Sequence, residues 1–375
     1  MKVVLTRGDL LKGISTVQSA VASKNTMPIL ANVLLEAREK KLELVATDLD
    51  MGIRCSVQAE VVDKGSITIN AKKLADIVRE LPEASVDLEI DDNHKMIIVC
   101  QKSNFKVHGL PKDDFPILPE VKKDKFFKVK GSQLQEMIHK TIFAVSTDET
   151  RYVLNGVFFQ AEGGKIRMVA TDGHRLAFIQ KKLEGKADEK CNVIIPTKTL
   201  NELSKVISDV SKGKEDKENE VIVEITATDN QIKFVVGGVE IVSRLIEGQF
   251  PNYEQVIPKE SDKKLEASTA DLAAATRRVA ILTSEKSNSI RYQAKAGKLV
   301  ISSKTPDMGE AKEEMDVNYK GEEISIAYNA KYVLDVLKNV GTDAVNIELT
   351  QPLSPGILRP KGDSDYLCVI MPMRV

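Results

Sequence analysis

Leu42-Glu-Leu-Val-Ala-Thr-Asp48 returns, 124 residues further on, as Ile166-Arg-Met-Val-Ala-Thr-Asp172. Self-similarity over so long a distance has to be settled first, because a missed repeat misreads the whole fold. Each copy alternates apolar with polar residues, the pattern of a half-buried strand, and then enters a polar turn. Leu299-Val-Ile-Ser-Ser303 is a weaker third copy.

Helices recur with the strands. Asn70-Ala-Lys-Lys-Leu-Ala-Asp-Ile-Val-Arg-Glu-Leu81 sets Leu74, Ile77, Val78 and Leu81 on one face, with Asn70 as N-cap. Pro196-Thr-Lys-Thr-Leu200 opens a second such helix, with Leu200, Leu203 and Ile207 inward and Pro196 in its first turn. Asn329-Ala-Lys-Tyr-Val333 opens a third, with Val333, Val336, Leu337 and Val340 inward. A lysine stands two positions before the first inward residue each time: Lys72, Lys198 and Lys331. Another helix starts each repeat, over 9–21, 133–145 and 271–282. A late strand then leaves through Asp-Phe-Pro at 114–116 or Gln-Phe-Pro at 249–251, and the last repeat ends in Tyr366-Leu-Cys-Val-Ile370.

The chain thus reads as an α+β protein of three copies, each with two helices and about eight strands. Charged, linker-like stretches place the domains at 1–122, 123–258 and 259–375. The run Lys212 to Glu220 is a solvated loop inside the middle copy.

Composition narrows the chemistry. Hydrophobic residues make up 42% of 375, enough for several real cores. Only four histidines and no tryptophan are present, which argues against acid–base catalysis and base stacking. Cys55, Cys100, Cys191 and Cys368 lie far apart, so neither zinc spacing nor a disulfide framework is expected. No P-loop, dinucleotide-binding or nucleophile-elbow motif occurs, and no cofactor or metal is expected. Gly163-Gly164-Lys165 reads as a hairpin turn. Asp91-Asp92 and Asp113-Asp114 read as turn residues. His174, in Thr171-Asp-Gly-His-Arg175, is the residue most like an active-site group, yet no second ligand or base lies near it in sequence. The N-terminus, MKVVLTRGDLLKG, lacks a signal-peptide pattern and no apolar run reaches membrane length, so a cytoplasmic protein without membrane contact is expected.

The charge balance, 54 Lys+Arg against 55 Asp+Glu, is not that of a generic nucleic-acid binder. It does fit basic groups gathered on one surface. Lysine at a helix start is disfavoured by the helix dipole, but the same end attracts phosphate. Three alike copies in one chain make a curved, quasi-symmetric object, and a head-to-tail contact between chains makes a ring when its rotation closes. Lysines inside such a ring would hold DNA without reading its sequence.

Here the residues resemble a known family. Val169-Ala-Thr-Asp-Gly-His-Arg-Leu-Ala177 and the terminal Met371-Pro-Met-Arg374 are similar to signatures of the bacterial β sliding clamps. Asn25-Thr-Met-Pro-Ile29, Arg151-Tyr-Val-Leu-Asn-Gly156 and Tyr332-Val-Leu-Asp-Val-Leu337 extend the resemblance over the whole chain. It implies three clamp domains, each with two inner helices and outer antiparallel sheets, closing as a head-to-tail homodimer ring around duplex DNA. It implies an ATP-driven clamp loader, a tethered replicative DNA polymerase, other clamp-binding-motif proteins, and no catalysis.

It also implies a partner-peptide pocket between the middle and last copies. Its residues would be Leu154, Thr171, Gly173, His174, Arg175, Leu176, Pro251, Val256, Val369, Met371, Pro372, Met373 and Arg374. Apolar and methionine side chains suit varied short peptides with one or two apolar anchors. Lys24, Lys72, Lys73 and Lys198 match positions that face DNA, and the internal repeat adds Lys331. Phe105 and Val107 would meet Ile281 and Leu282 of a second copy, with Glu310, Glu313 and Glu314 facing basic groups across that seam. Gln255 stands where some relatives carry arginine, and Val375 where leucine is common. Two other readings compete: an enzyme centred on Asp172 and His174, and a DNA-free peptide-binding scaffold.

Overall fold

The structure is a computed structural model that describes residues 1–22, 27–91, 93–121, 125–183, 190–213, 220–284 and 287–374. The first repeat runs β1 (Lys2–Thr6), α1 (Arg7–Val17), β2 (Asn32–Arg38), β3 (Lys41–Thr47), β4 (Met51–Gln58) and β5 (Glu60–Asp63). It continues with β6 (Gly65–Asn70), α2 (Ala71–Glu80), β7 (Ser85–Ile90), β8 (Lys95–Cys100) and β9 (Ser103–His108). The second runs β10 (Lys125–Lys130), α3 (Gly131–Ile142), β11 (Gly156–Glu162), β12 (Lys165–Thr171) and β13 (Arg175–Lys182). After these come β14 (Cys191–Pro196), α4 (Thr197–Lys212), β15 (Ile222–Ala227), β16 (Gln231–Val236) and β17 (Val239–Arg244). The third opens with β18 (Lys263–Ser268), α5 (Thr269–Ala280), β19 (Ser289–Lys295), β20 (Lys298–Thr305) and β21 (Gly309–Asp316). It closes with β22 (Ile324–Asn329), α6 (Ala330–Val340), β23 (Ala344–Leu349), β24 (Gly356–Pro360) and β25 (Tyr366–Ile370).

Local chemistry explains the boundaries. The Asn70 side chain accepts from Lys73 N–H, and Asn329 accepts from Lys331 N–H, so both asparagines cap their helices. Ser268 and Thr6 do the same for α5 and α1. The inward faces are buried at Leu74, Leu200, Leu203, Ile207, Val333 and Val336. Pro196 corrects the expectation for α4. It is the last residue of β14, paired with Gly156, and the helix begins one residue later. A ring nitrogen without N–H costs nothing at that strand end. Gly163 and Gly164, with φ of 60° and 71°, join β11 to β12 as a two-residue hairpin. Strands such as β8 and β16 alternate buried with half-buried residues, the period of a sheet with one covered face.

The chain packs as two compact units, Met1–Ser132 with Lys198–Leu245, and Gln133–Thr197 with Ile246–Val375. In the first, β5-β1-β7-β8-β9 form one sheet and β10-β15-β16-β17-β4-β3-β2-β6 a second. In the second, β14-β11-β12-β13-β25-β24-β23-β18 form one sheet and β21-β20-β19-β22 another. All the named pairings are antiparallel.

Both eight-stranded sheets are joined in the same way. Each repeat ends in a strand (β9, β17, β25), and each has a strand directly after its Leu42-to-Asp48-like motif (β4, β13, β21). The end of the second repeat pairs with the first through β17–β4, where Ile241 faces Ile53. The end of the third pairs with the second through β13–β25, where Leu176 faces Val369. That leaves β9 and β21, each the outermost strand of its sheet.

The four cysteines are free and buried. Burial pushes the Cys55 and Cys368 thiols up to about 12, which keeps them protonated and inert. Among the described residues no helix is long and apolar enough to cross a membrane.

Candidate functional site

The second unit carries a small hollow of about 130 Å³ over the β13–β25 ladder. Leu176 and Val369, cross-strand partners, form its floor, and Leu154, Pro251, Val256, Tyr253 and Met371 rise around it. Beneath lies an apolar cluster in which the Phe158 and Phe250 rings stack at 5.1 Å. Such a lining holds an apolar side chain, and methionine at its rim adapts to different shapes.

The turn Thr171-Asp172-Gly173-His174 shapes one wall. Thr171 Oγ1 accepts from Gly173 N–H at 3.1 Å and donates to the Arg175 carbonyl at 2.6 Å. Asp172 Oδ1 accepts from the N–H groups of His174 and Arg175. Gly173, at φ +87°, meets the positive φ that the turn requires.

Arg175 is buried and fully engaged. Its guanidinium donates to Asp172 Oδ2 at 3.1 Å, Asp335 Oδ2 at 2.6 Å and the Phe143 carbonyl at 2.7 Å. It also lies 4.7 Å over the Tyr332 ring. The His174 ring is exposed beside Tyr332, 6.2 Å between centroids, and does not line the hollow. Its main-chain carbonyl accepts from Met371 N–H at 2.9 Å, fixing the start of the C-terminal tail.

Nine of the thirteen pocket residues expected from the sequence line this hollow: Leu154, Thr171, Gly173, Arg175, Leu176, Pro251, Val256, Val369 and Met371. His174 and Pro372 do not, and Met373 and Arg374 line a neighbouring hollow instead. The reason is the tail's course: Met373 N–H donates to the Ala327 carbonyl at 2.8 Å, which draws the last residues onto β22. Tyr253 was missed. Its signal was in the repeat, since it stands three residues after Phe250 as Leu118 stands three after Phe115.

The first repeat copies the turn but lines its hollow, of about 240 Å³, differently. Thr47 and Asp48 make the same hydrogen bonds as Thr171 and Asp172, and Leu49 takes the positive φ, at 79°. Gly52, however, stands where the second repeat has Leu176, and a Cβ there would collide with buried Leu118. The depression at this place is lined by Asp50, Gln231, Ser243 and Arg244 as well as apolar groups.

Lys72 and Lys73, Lys198 and Lys331 lie in the first turns of α2, α4 and α6, and all four are exposed. Lys198 pairs with the Asp48 carboxylate. Lys24 lies outside the described residues. Phe105 and Val107 lie on the open edge β9, Phe105 exposed and Val107 half-buried. Ile281 is 70% exposed just beyond α5, and the carbonyl of half-buried Leu282 accepts from Thr305 Oγ1 at 2.8 Å, next to β21. The acids expected to face a second copy have partners in their own chain: Glu313 with Arg278, Glu314 with Lys298, and Glu310 with Lys304. Among the described residues no group of three or more His, Cys, Asp or Glu side chains is arranged to hold a metal.

Three family models match in series. They are the N-terminal, central and C-terminal domains of the DNA polymerase III beta subunit, over residues 1–119, 128–252 and 254–374. The chain belongs to the DNA polymerase III beta subunit family. The beta sliding clamp of Pseudomonas putida is 34% identical over 377 residues, with all of both chains covered. That of Caulobacter vibrioides is 35% identical over 381 residues, again over both full lengths. The crystal structure of DNA polymerase III subunit beta from Pseudomonas aeruginosa matches with a TM-score of 0.94 at 33% identity, covering both chains fully. A Bartonella birtlesii sliding clamp, crystallised bound to griselimycin, matches with 0.94 at 34%, also over both full lengths. The fold is therefore three β-clamp domains, and a sliding clamp is an accessory protein without a catalytic centre. His174 and Asp172 are framework groups of a turn, which sets aside the enzyme reading.

Proposed function

We propose that two copies of this chain close head to tail into a ring around duplex DNA and carry the replicative polymerase and other DNA-acting proteins along it. The observation that carries this reading is the pair of open edges. Two of the three repeat junctions are strand pairings inside the chain, β17–β4 and β13–β25. The third set of equivalent strands, β21 and β9, is outermost in two separate sheets, free to pair with another copy. The contact is heterologous, and it makes a ring when its rotation closes. The copy number of two comes from the family resemblance. Domains at 1–122, 123–258 and 259–375 would make the six segments of that ring.

Lys24, Lys72, Lys73, Lys198 and Lys331 then serve as phosphate contacts, independent of DNA sequence and sensitive to salt. Enclosure supplies the retention that such contacts lack. An ATP-driven loader opens the seam, and the cytoplasm, where bacterial DNA lies, is the place of action. The test is retention on nicked circular DNA after loading with a bacterial clamp loader and ATP, followed by gel filtration. Protein that stays on circles and leaves when the circles are cut once is topologically linked. Equal retention before and after cutting means direct attachment, and the ring reading fails.

The hollow over Leu176 and Val369 is proposed to take the apolar anchor of a partner's short peptide. Val256→Ser with Met371→Ala, both at half-buried rim positions, is expected to weaken a Leu- and Phe-containing peptide about tenfold or more, from the lost burial of one anchor. Fluorescence anisotropy reads this directly. Unchanged affinity in that variant places the peptide elsewhere.

A further inference from the structure

We propose that the hollow beside the C-terminal tail is a second seat on the same partner peptide, one that takes acidic residues flanking the apolar anchor. The proposal rests on the groove reading above. The hollow measures about 760 Å³ and lies on the β21-β20-β19-β22 sheet. Four cationic side chains line it, Arg291, Lys304, Lys312 and Arg374, against one carboxylate, Glu310. Glu310 is taken by Lys304 at 3.6 Å. Arg291, Lys312 and Arg374 make no salt bridge with a described residue. In a chain whose formal net charge is −1, this is a marked local excess of positive charge. Hydroxyls of Ser289 and Ser302 share the lining and add hydrogen-bonding capacity for carboxylates.

Continuity with the groove identifies the occupant. Met371 lines the apolar hollow and Met373 the basic one, with only Pro372 between them. The tail's main chain is fixed at both ends, to His174 and to Ala327. An extended strand advances about 3.3 Å per residue, so two or three residues beyond an anchor bring a peptide onto the basic side chains. Strand alternation sets the face. Ile290 and Tyr292 are buried on the side of β19 where Tyr292 meets Thr276 of α5, and Arg291 points to the opposite side. The basic hollow thus lies on the sheet face away from α5, whereas Lys331, proposed for DNA, lies in the first turn of α6, the helix packed against α5. An acidic peptide flank is therefore favoured over DNA phosphate.

The test compares two labelled peptides that share a Leu- and Phe-containing centre. One carries three glutamates at each end and the other three glutamines. Binding is read by anisotropy at low and high salt, on the native chain and on Arg291→Gln with Lys304→Gln. The glutamate peptide is expected to bind the native chain about tenfold more tightly at low salt, the sum of a few exposed charge pairs, and to lose that advantage in high salt. The advantage also disappears in the double variant, while the glutamine peptide binds both chains alike. Equal affinity of the two peptides for the native chain overturns the proposal and leaves the groove intact. So does a glutamate advantage that survives in the variant. A variant that weakens binding of a duplex oligonucleotide, with the glutamate advantage unchanged, assigns the hollow to DNA. If neither peptide binds the native chain, the groove reading itself falls and takes this one with it.

Discussion

Phe105→Asp combined with Ile281→Asp is expected to leave the chain folded and monomeric at micromolar concentration. Phe105 sits on β9 at an open sheet edge, and Ile281 is 70% exposed just past α5, so neither substitution disturbs a core. Both side chains become buried only if a second copy arrives. Phe105 is 37% exposed and Ile281 70%, so losing their remaining burial, about 2 kcal/mol together, weakens a seam about thirtyfold. The introduced carboxylates oppose re-pairing further, since charge on an open edge is how sheets avoid joining one another. Sedimentation equilibrium measures the effect, and DNA circles should lose the protein in parallel. A variant that remains dimeric at the same concentrations moves the seam away from β9 and β21.

Arg175→Ala is expected to unfold the second unit at a distinctly lower temperature. The guanidinium ties Asp172 on the turn after β12 to Asp335 on α6 and to the Phe143 carbonyl. Deleting it leaves two carboxylates without a counter-charge and a carbonyl without a donor. Removing one partner from a buried pair costs about 3–5 kcal/mol. Asp335 is partly exposed and recovers some solvation, which puts the loss near the lower limit. About 3 kcal/mol corresponds to roughly 6–12 °C in the midpoint of a unit of this size. Arg175→Lys restores little, because an ammonium cannot reach three acceptors as the planar fork does. Differential scanning calorimetry checks it, and a fall of only a degree or two would mean that Arg175 is a rim contact and not a tie.

Much of this architecture is legible in the sequence. The Leu42-to-Asp48 motif and its copy became β3 and β12, at the same place in their sheets. The faces of α2, α4 and α6 followed from apolar spacing, because a 3.6-residue period is a local property that the sequence displays directly. What stayed hidden depends on neighbours far apart in the chain. Glu313 and Arg278 are 35 residues apart and meet because β21 lies over α5, which no local pattern announces. Met373 and Arg374 adjoin Met371 in sequence, yet one hydrogen bond to Ala327 carries them into a different hollow. Tyr253 was overlooked because an aromatic two residues after a proline reads as ordinary packing until its counterpart, Leu118, is seen over Gly52.

That Gly52 and Leu118 contact has a consequence for valence. The first repeat preserves the turn of the second down to its positive φ, yet Leu118 packs on Gly52 where the second has Leu176, and polar Asp50, Gln231, Ser243 and Arg244 share the lining of the depression there. Of these two equivalent hollows, only the one over Leu176 and Val369 is mainly apolar, so the proposed two-chain ring carries two such seats. On the function proposed above, proteins that use those seats have to queue. Which of them rides the DNA at a given moment is then set by concentration and affinity at a shared address, and a hand-over needs no signal beyond a vacancy.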